Sequence, residues 1–381
     1  MRDAVIVEAV RTPVGKRNGG LAGEHPVELS ARTLNTLVER AGVDPALVDD
    51  VVWGAVHQVA EQTYNVARNS VIAAGWPESV PGFTIDRQCG SSQQAVHSAA
   101  AAVISGQIDV AVAGGVEIMS MVTMGSSLLG KNPYSEAFAA RYDGALPHMG
   151  VSAEMIAEKW GFSRTQMDEF ALESHRRADE AQRSGAFDRE IFAVTTRGGE
   201  VVSADEGIRA GGTLEALAGL KTPFKEDGRV TAATSSQISD GAAALLITTS
   251  EKAKELGLTP IARIHTAVVT GDDPILGLTA LIPATVKALA RAGLSIDDID
   301  IYEVNEAFAS VAMAWLAETG AEPAKMNVRG GAIALGHPLG GSGARLMTTL
   351  LHAMQDGGHR FGLQTMCEGG GLSNATILER I

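Results

Sequence analysis

Short apolar runs rich in β-branched residues alternate along the chain with longer segments rich in alanine and leucine. The short runs predict strands at 5–7, 51–53, 110–113, 244–248, 261–264, 301–304 and 363–366. The longer segments predict helices at 26–41, 92–105, 152–160, 164–184, 283–292, 307–319 and 343–354. This alternation is typical of parallel strands covered by helices on both faces, and it predicts an α/β fold.

The two ends of the chain contain the same order of elements. A turn at 86–92 leads into an alanine-rich helix and then into a strand that ends at two glycines. A turn at 336–343 leads into a leucine-rich helix and then into a strand that ends at the glycines 369–371. We therefore expect two duplicated mixed-sheet α/β halves packed together, although two unrelated α/β units would give a similar pattern.

The stretch between these halves has a different character. It begins with closely spaced methionines at 119–124 and continues with glycine-rich turns and a charged helix. Long insertions on α/β scaffolds usually bind or cover ligands. We expect an N-terminal half at 1–118, an inserted loop domain that binds ligand and contacts other subunits at 119–249, and a C-terminal half at 250–381.

Charge and composition exclude several classes of function. The 381 residues include 31 Lys and Arg against 45 Asp and Glu, a net charge of −14 that disfavours nucleic-acid binding. No run approaches the ~20 apolar residues of a membrane span, and the N-terminus resembles a strand more than a signal peptide. The sequence therefore predicts a cytoplasmic protein with no membrane span and no nucleic-acid partner.

Only two cysteines, Cys89 and Cys367, occur in the chain. Two cysteines cannot form a disulfide framework or a structural zinc site, and the nine histidines lack metal-binding spacings. We therefore expect no metal.

Four segments contain side chains suited to acyl or proton transfer. Cys89 lies at a predicted strand-to-helix turn, where the positive end of a helix dipole lowers the pKa of a thiol. His337 lies in a turn of glycine and proline, and Cys367 and Asn305 each follow a predicted strand. Each also has an ordinary interpretation: a packed cysteine, a histidine bonded to local backbone, or an asparagine that caps a helix.

Together these segments resemble the signature blocks of the thiolases, the acetyl-CoA acetyltransferases. The blocks are Cys89-Gly90-Ser91, Asn305-Glu306-Ala307-Phe308, 331–340 and 367–371. They have the order and spacing of that family, and the resemblance extends from 7–13 to the last strand. It implies a thiolase-like fold and an acyltransferase that cleaves 3-ketoacyl-CoA, or condenses two acyl-CoAs, through an acyl-cysteine.

The resemblance also implies a role for each catalytic candidate. Cys89 would be the nucleophile, His337 the base that activates it, and Cys367 the second acid and base at the substrate Cα. Asn305 would hold a water that, with His337, stabilises the enolate. The backbone N–H groups of Cys89 and Gly369 would stabilise the tetrahedral intermediate.

Coenzyme A is the cosubstrate that the resemblance implies, with no tightly bound cofactor. Segments that match the family's substrate-binding segments supply six candidate contacts: Arg209 for the adenosine end, and Ser236, Ala232, His148, Met149 and Phe308 for the pantetheine and the pocket. A solvated surface arginine is the alternative interpretation of Arg209. Thiolases are typically dimers or dimers of dimers, so we expect a homodimer or homotetramer.

Two departures from the family pattern bear on the substrate. The loop at 234–237 and Ser92 resemble the branch that degrades bulkier acyl-CoAs, including steroid-derived ones. We therefore expect a degradative enzyme, with the acyl size left open. The alternatives are a ketoacyl-synthase-like condensing enzyme, a non-catalytic CoA-binding subunit and, less consistent with Cys367, a cysteine protease.

Overall fold

The computed structural model describes residues 2–381 and contains twelve strands and twelve α-helices within them. The strands are β1 (Val5–Arg11), β2 (Gly15–Lys16), β3 (Asp50–Gly54), β4 (Gly82–Ile85), β5 (Val110–Ile118), β6 (Val194–Thr195), β7 (Val201–Val202), β8 (Ser239–Thr248), β9 (Ala262–Gly271), β10 (Ile301–Val304), β11 (Phe361–Glu368) and β12 (Leu372–Arg380). The helices are α1 (Pro26–Ala41), α2 (Val66–Ala73), α3 (Ser91–Ser105), α4 (Glu136–Arg141), α5 (Met149–Lys159), α6 (Arg164–Arg183), α7 (Leu214–Ala218), α8 (Ser250–Glu255), α9 (Leu281–Ala292), α10 (Ala309–Thr319), α11 (Ala332–Leu335) and α12 (Leu339–Gly357). Every predicted strand and helix is present within these bounds or close to them.

Ten of the strands form one mixed sheet, in the order β10-β11-β12-β9-β1-β8-β5-β3-β4, with β2 beside β8. Only the strands that helices connect are parallel: β3 with β4 and β5, and β10 with β11. The remaining neighbours are antiparallel because a glycine turn joins β11 directly to β12, and because β8 returns after a long excursion. The expectation of parallel strands therefore holds for these three pairs only.

The expected repeat is present in the strand order. The first half orders its strands β1-β8-β5-β3, and the second orders its strands β9-β12-β11-β10 with the same pattern of parallel and antiparallel pairs. The two copies meet where β1 lies beside β9. In the first half β4 pairs with the edge of β3, whereas in the second half the corresponding edge of β10 has only one parallel bridge, between Tyr302 and Met326.

Helices α3 and α12 occupy equivalent positions in the two halves and pack against each other in the centre. Alanines on α3 and an almost fully buried α12 allow this close approach. A Cβ on Gly343 of α12 would lie 2.3 Å from the backbone nitrogen of Gln93 on α3, so the crossing requires glycine. Alternate residues of β3 and β5 face α1 on one side and α3 on the other, which buries the sheet on both faces.

The long excursion between β5 and β8 contains α4 to α7 and the two-stranded sheet β6-β7. The insertion predicted at 119–249 also includes β8, which lies within the large sheet between β1 and β5. The excursion outside that sheet thus ends before Ser239, and the division of the chain at 118 and 249 stays a prediction. Across residues 2–381, none of the helices has the length and apolarity to cross a bilayer.

Candidate active site

Cys89 lies in a tight turn between β4 and α3. Gln88 has a left-handed backbone with φ +49°, and its N–H donates to the Asp86 carboxylate at 2.6 Å. The Ser91 hydroxyl accepts from the N–H of Arg87 at 2.9 Å and donates to the carbonyl of Gln88 at 2.6 Å. Because α3 begins at Ser91, the predicted position of Cys89 at a helix N-terminus is confirmed.

The sequence predicts a lowered pKa for the Cys89 thiol, and this prediction is wrong for the isolated chain. Burial, and then the charge of Glu368, raise the pKa of the Cys89 thiol to about 12. The backbone N–H of Gly369 and that of Cys89 itself hydrogen-bond the sulfur and lower the pKa in part. Desolvation therefore outweighs the helix terminus, and the resting sulfur is a thiol.

His337 is a buried, neutral base with one free nitrogen. Its Nδ1 lies 2.6 Å from the hydroxyl of Ser342, which itself donates to the Pro338 carbonyl at 2.8 Å. The hydroxyl oxygen therefore accepts from Nδ1–H, which leaves Nε2 unprotonated. Burial, followed by the charge of Arg345, lowers the pKa of His337 to about 3. Gly336, with φ +102°, allows this turn, because a Cβ there would lie 2.2 Å from the Ser239 hydroxyl.

Asn305 follows β10 and points its amide toward His337. Its Nδ2 lies 3.5 Å from Nε2 of His337, and within residues 2–381 its buried Oδ1 has no hydrogen-bonding partner. Helix α10 begins only at Ala309, with Phe308 at its cap. Since Asn305 does not cap the helix, its amide oxygen is available to a ligand or a water.

Cys367 is fully buried near the end of β11. Burial raises its pKa well above the usual value, the nearby Cys89 and Glu368 raise it further, and a hydrogen bond from the Asn305 side chain lowers it in part. Gly369 follows two residues later, with its N–H directed at the Cys89 sulfur. The structure thus brings all five predicted catalytic residues together, Cys89 from the first half and the other four from the second.

Two buried carboxylates that sequence reasoning did not assign to the site hold its loops. Glu117 accepts hydrogen bonds from the backbone N–H of Val56, His57 and Gly340, and the last of these belongs to the turn after His337. Glu306 accepts from Ser174 and Asn327 and from the N–H of Ile333. These carboxylates fix the backbone on both sides of His337.

A cavity of about 1210 Å³ opens beside Gln88 and the glycines 369–371. Its walls include three aromatic side chains on and around α4, namely Tyr134, Phe138 and Tyr142. The Tyr134 and Phe138 rings stack with centroids 4.5 Å apart. The predicted pocket residues His148 and Met149 line this same cavity.

A separate cavity of about 240 Å³ contains the predicted contacts Arg209 and Ala232. Gln237 forms part of its wall and donates to the carbonyls of Gly207 and Ile333, at 2.8 and 2.9 Å. Ser236 and Phe308 line neither cavity. They belong to two loops that bond each other, through the N–H of Ser236 and the carbonyl of Ala307 at 2.9 Å.

Sequence reasoning missed three further features of the site. The aromatic residues 134, 138 and 142 recur every fourth position, a spacing that indicates one face of a helix. Glu368 follows Cys367 on a strand, so alternation directs the two side chains to opposite faces. For Ser342 the sequence offers no signal, because its contact with His337 depends on where α12 begins.

Comparison with known proteins shows the family to which the chain belongs. The family model for the thiolase N-terminal domain matches residues 4–251, and that for the thiolase C-terminal domain matches residues 258–380. The chain is 50% identical to a steroid 3-ketoacyl-CoA thiolase of Mycobacterium tuberculosis, over 100% of this chain and 95% of that protein. It is 45% identical to a 3-ketoacyl-CoA thiolase of Idiomarina loihiensis, over the full length of both. The crystal structure of the Bacillus anthracis acetyl-CoA acetyltransferase superposes with a TM-score of 0.91 at 39% identity, over 100% of this chain and 99% of that one.

Proposed function

Because this chain belongs to the thiolase family, we propose that it cleaves 3-ketoacyl-CoA thioesters whose acyl groups are bulky and apolar. As a degradative-type thiolase it is an acyltransferase, which moves an acyl group reversibly between a 3-ketoacyl-CoA and CoA. The ketoacyl-synthase-like and non-catalytic alternatives have no support in these relationships. The observation that carries the proposed substrate class is the cavity of about 1210 Å³ beside Gly369.

The proposed cycle begins at Cys89. The free Nε2 of His337 accepts the thiol proton as the sulfur attacks the 3-keto carbon, and the N–H groups of Cys89 and Gly369 stabilise the resulting oxyanion. A pKa of about 12 at Cys89 and about 3 at His337 disfavours a resting ion pair, so the proton leaves as the carbon–sulfur bond forms. The C2–C3 bond then breaks, and the electron pair remains on the acetyl-CoA fragment.

Cys367 completes the cycle in this proposal. Its thiol protonates the acetyl-CoA carbanion, whose enolate oxygen is held by His337 and by a water on Asn305. A CoA thiol then gives its proton to the Cys367 thiolate and attacks the acyl-Cys89 thioester, and the departing Cys89 sulfur takes its proton back from His337 as the shortened acyl-CoA is released. The unpartnered Oδ1 of Asn305 supports this role, since it is a buried acceptor that faces the base.

CoA is the cosubstrate of this chemistry, and its six candidate contacts remain part of the proposal. The smaller cavity supports the assignment of Arg209 and Ala232 as contacts, because the positively charged side chain of Arg209 lies in a wall that is otherwise mostly apolar. His148 and Met149 would contact the thioester end through the larger cavity. Ser236 and Phe308 would act through the loops that bound the site between the two cavities.

The acyl preference rests on the aromatic wall of the larger cavity rather than on the two departures from the family pattern. The Ser92 hydroxyl accepts from the N–H of Ala344 at 2.9 Å, and Gln237 lines the smaller cavity. Neither side chain lines the space beside Gly369. Tyr134, Phe138 and Tyr142 instead offer flat apolar surface that a ring-bearing acyl group would cover.

Steady-state thiolysis of a substrate series tests the proposal. Acetoacetyl-CoA, a linear medium-chain 3-ketoacyl-CoA and one with a cycloalkane ring would be compared on one enzyme preparation. We expect kcat/KM for the ring-bearing substrate to exceed that for acetoacetyl-CoA by about 10-fold or more, as burial of several methylenes predicts. Equal or reversed selectivity across the series would overturn the proposed substrate class.

Substitution of Cys89 tests the proposed nucleophile. Wild-type protein incubated with acetyl-CoA alone should gain one acetyl group on Cys89, measured by peptide mass spectrometry. Cys89→Ser should remain folded and gain none. An acetyl group on Cys367 in the wild type would instead reverse the proposed roles of the two cysteines.

We also propose a cytoplasmic homodimer or homotetramer. Strand β4 lies at one edge of the sheet, and apolar side chains near it are exposed: Tyr64 by 87%, Ile72 by 54% and Phe83 by 41%. Exposed apolar patches and strand edges are typical of surfaces that other chains cover. Light scattering after size exclusion should give the mass of two or four chains, and a monomer would contradict the proposal.

A further inference from the structure

Glu368 is a buried carboxyl group that the proposed cycle does not use. It lies at the end of β11, next to Cys367, and is fully buried. Within residues 2–381 no side chain donates a hydrogen bond to either of its carboxyl oxygens. A buried carboxylate without side-chain donors is costly, whereas the protonated acid needs only an acceptor.

The structure supplies that acceptor. A Cβ on Gly90, the residue after the nucleophile, would lie 1.8 Å from Oε1 of Glu368 and 2.5 Å from Oδ1 of Asn374. Both oxygens therefore lie on the same side of Gly90, beneath the Cys89 turn, and no more than 4.3 Å apart (1.8 Å plus 2.5 Å). Oδ1 of Asn374 also has no partner among the described residues. Because both are buried acceptors without a partner, a proton on Glu368 would let its carboxyl group donate to Oδ1 of Asn374.

The orientation of the Asn374 amide is fixed from its other side. Its Nδ2 donates to Oε1 of Gln94 at 3.2 Å and to Nδ1 of His97 at 3.3 Å. Burial lowers the pKa of His97 to about 3, which keeps the ring neutral, and Nδ1 accepts from the amide in the tautomer whose proton is on Nε2. Its Nε2 bonds the Thr376 hydroxyl at 2.7 Å. With Nδ2 directed at Gln94 and His97 on α3, the amide presents Oδ1 toward Glu368.

We propose that Glu368 is a positioning residue that works as a neutral carboxylic acid, donating to Asn374, and that its ionisation suppresses the reaction of Cys89. The neutral acid joins β11 to α3 beneath the nucleophile turn without adding charge. Loss of its proton leaves two facing acceptors and a negative charge beside a sulfur that must itself become negative. The proposal rests on Cys89 as the nucleophile.

The charged groups around Glu368 agree with this behaviour. Burial raises the pKa of Glu368 to about 8. The charge of Arg87 and the backbone N–H of Asn374 lower this pKa in part, and the charge of Asp86 raises it. Glu368 in turn raises the pKa values of Cys89 and Cys367, and Glu117 on β5 raises that of Cys89 further. Glu368 is the member of this group whose charge changes just above neutral pH.

The rate of Cys89 alkylation by iodoacetamide, followed by peptide mass spectrometry from about pH 6 to pH 10, tests the proposal. Glu368→Gln keeps a donor for Asn374 and removes the ionisation. We expect the variant and the wild type to react at similar rates near pH 7, and the variant to react about 5-fold faster or more near pH 9. Alkylation does not require turnover, so this result is independent of the proposed substrate class.

Glu303→Gln is the matched control. Glu303 is a second buried carboxyl without side-chain partners whose pKa is raised to about 8, and it lies next to Arg345 rather than Cys89. Its variant should follow the wild-type profile. A rate ratio for Glu368→Gln that does not change with pH, or a loss of alkylation near pH 7, would overturn the proposal.

A second measurement applies if Glu368→Gln does not fold. In Glu303→Gln protein labelled with carboxyl-¹³C glutamate, one carboxyl resonance should titrate above about pH 7 and shift when Cys89 is alkylated. A Glu368 carboxyl resonance that already has the chemical shift of the ionised form at pH 7 would overturn the proposal.

Discussion

At the scale of single residues, the two cysteines are distinguished by what surrounds their sulfurs. Cys89 receives backbone N–H groups, its own and that of Gly369, which suit a sulfur that becomes bonded to an oxyanion-bearing carbon. Cys367 lies on a strand and receives the Asn305 amide. The first environment supports acyl transfer and the second supports proton transfer.

Cys367→Ala should separate these two roles. The variant should still acquire an acetyl group on Cys89, whereas thiolysis should fall by ~10²–10⁴-fold because no positioned acid remains for the Cα proton. CoA exchange and thiolysis would be measured on the same preparation, with a thermal melt as the control for folding. Equal collapse of both rates with an unchanged melt would show that Cys367 takes part in acyl transfer.

Ser342→Ala should impair the base without unfolding the chain. Loss of the 2.6 Å contact with Nδ1 frees the His337 ring to rotate or to move its proton to Nε2. We expect kcat for thiolysis to fall about 10-fold with KM nearly unchanged, the effect of one hydrogen bond to a group that becomes charged. Ser70→Ala is the matched control, because Ser70 is also a buried helical serine that donates to the carbonyl four residues before it, that of Val66. A larger effect of the control would contradict this role for Ser342.

The residues proposed to react were accessible from the sequence, and the residues that contact and position them were not. Cys89, His337, Cys367 and Asn305 stand out because short motifs surround them. Ser342, Glu117 and Glu368 act through contacts that only the packed fold creates, such as the bond from Glu117 to the N–H of Gly340. The lowered pKa expected for Cys89 failed for the same reason, since the sequence reveals the helix terminus but not the depth of burial.

At the scale of elements, α4 forms a wall of the larger cavity with its aromatic face. Ring centroids of Phe138 and Tyr142 lie 5.1 Å apart, continuing the stack that begins at Tyr134. A six-residue helix gains little stability from its own backbone bonds, so its aromatic contacts hold it in place. Under the proposed function, one short helix therefore forms the surface that distinguishes acyl groups by shape.

Phe138→Ala should change selectivity more than catalysis. We expect kcat/KM for a ring-bearing 3-ketoacyl-CoA to fall about 10-fold, while acetoacetyl-CoA changes by less than about 2-fold, because the small acyl group does not reach the aromatic wall. Leu129→Ala, an exposed apolar residue outside the cavity lining, is the control. Equal losses on both substrates would assign Phe138 to folding of the loop instead.

Helix boundaries show where sequence rules and packing disagree. Helix α12 begins at Leu339, four residues before the predicted start. The prediction placed the start too late because the helix contains glycines at 340, 341 and 343. Sequence rules count glycine against a helix, yet the crossing with α3 requires it at Gly343. Helix α10 begins two residues later than predicted, at Ala309, which leaves Asn305 free for the site.

At the scale of the whole molecule, buried ionisable groups set the pH dependence of stability. Glu303 and Glu368 have pKa values of about 8, so the folded chain binds more protons than the unfolded chain from about pH 4.5 to about 8. His97 and His337, with pKa values of about 3, act in the opposite direction from about pH 3 to about 6.5. Above about pH 6.5 only the glutamates of these four contribute, and they lower stability as pH rises.

We therefore expect the free energy of unfolding to decrease between about pH 6.5 and about pH 8.5, measured by chemical denaturation at constant ionic strength. Glu303→Gln should remove about half of the decrease that these two glutamates cause. Stability that is constant or rises over this interval would contradict the assignment of both glutamates as neutral acids at pH 7.

The repeated halves have a consequence for the origin of the site. The turn that presents Cys89 before α3 and the turn that presents His337 before α12 occupy the same place in the two copies. An ancestor made of two identical units would have carried each turn twice, on either side of its symmetry axis. In this chain the two turns differ, so that under the proposed mechanism one copy presents the nucleophile and the other presents the base. Neither half contains all of the proposed catalytic residues, so the proposed reaction centre forms only where the two halves meet.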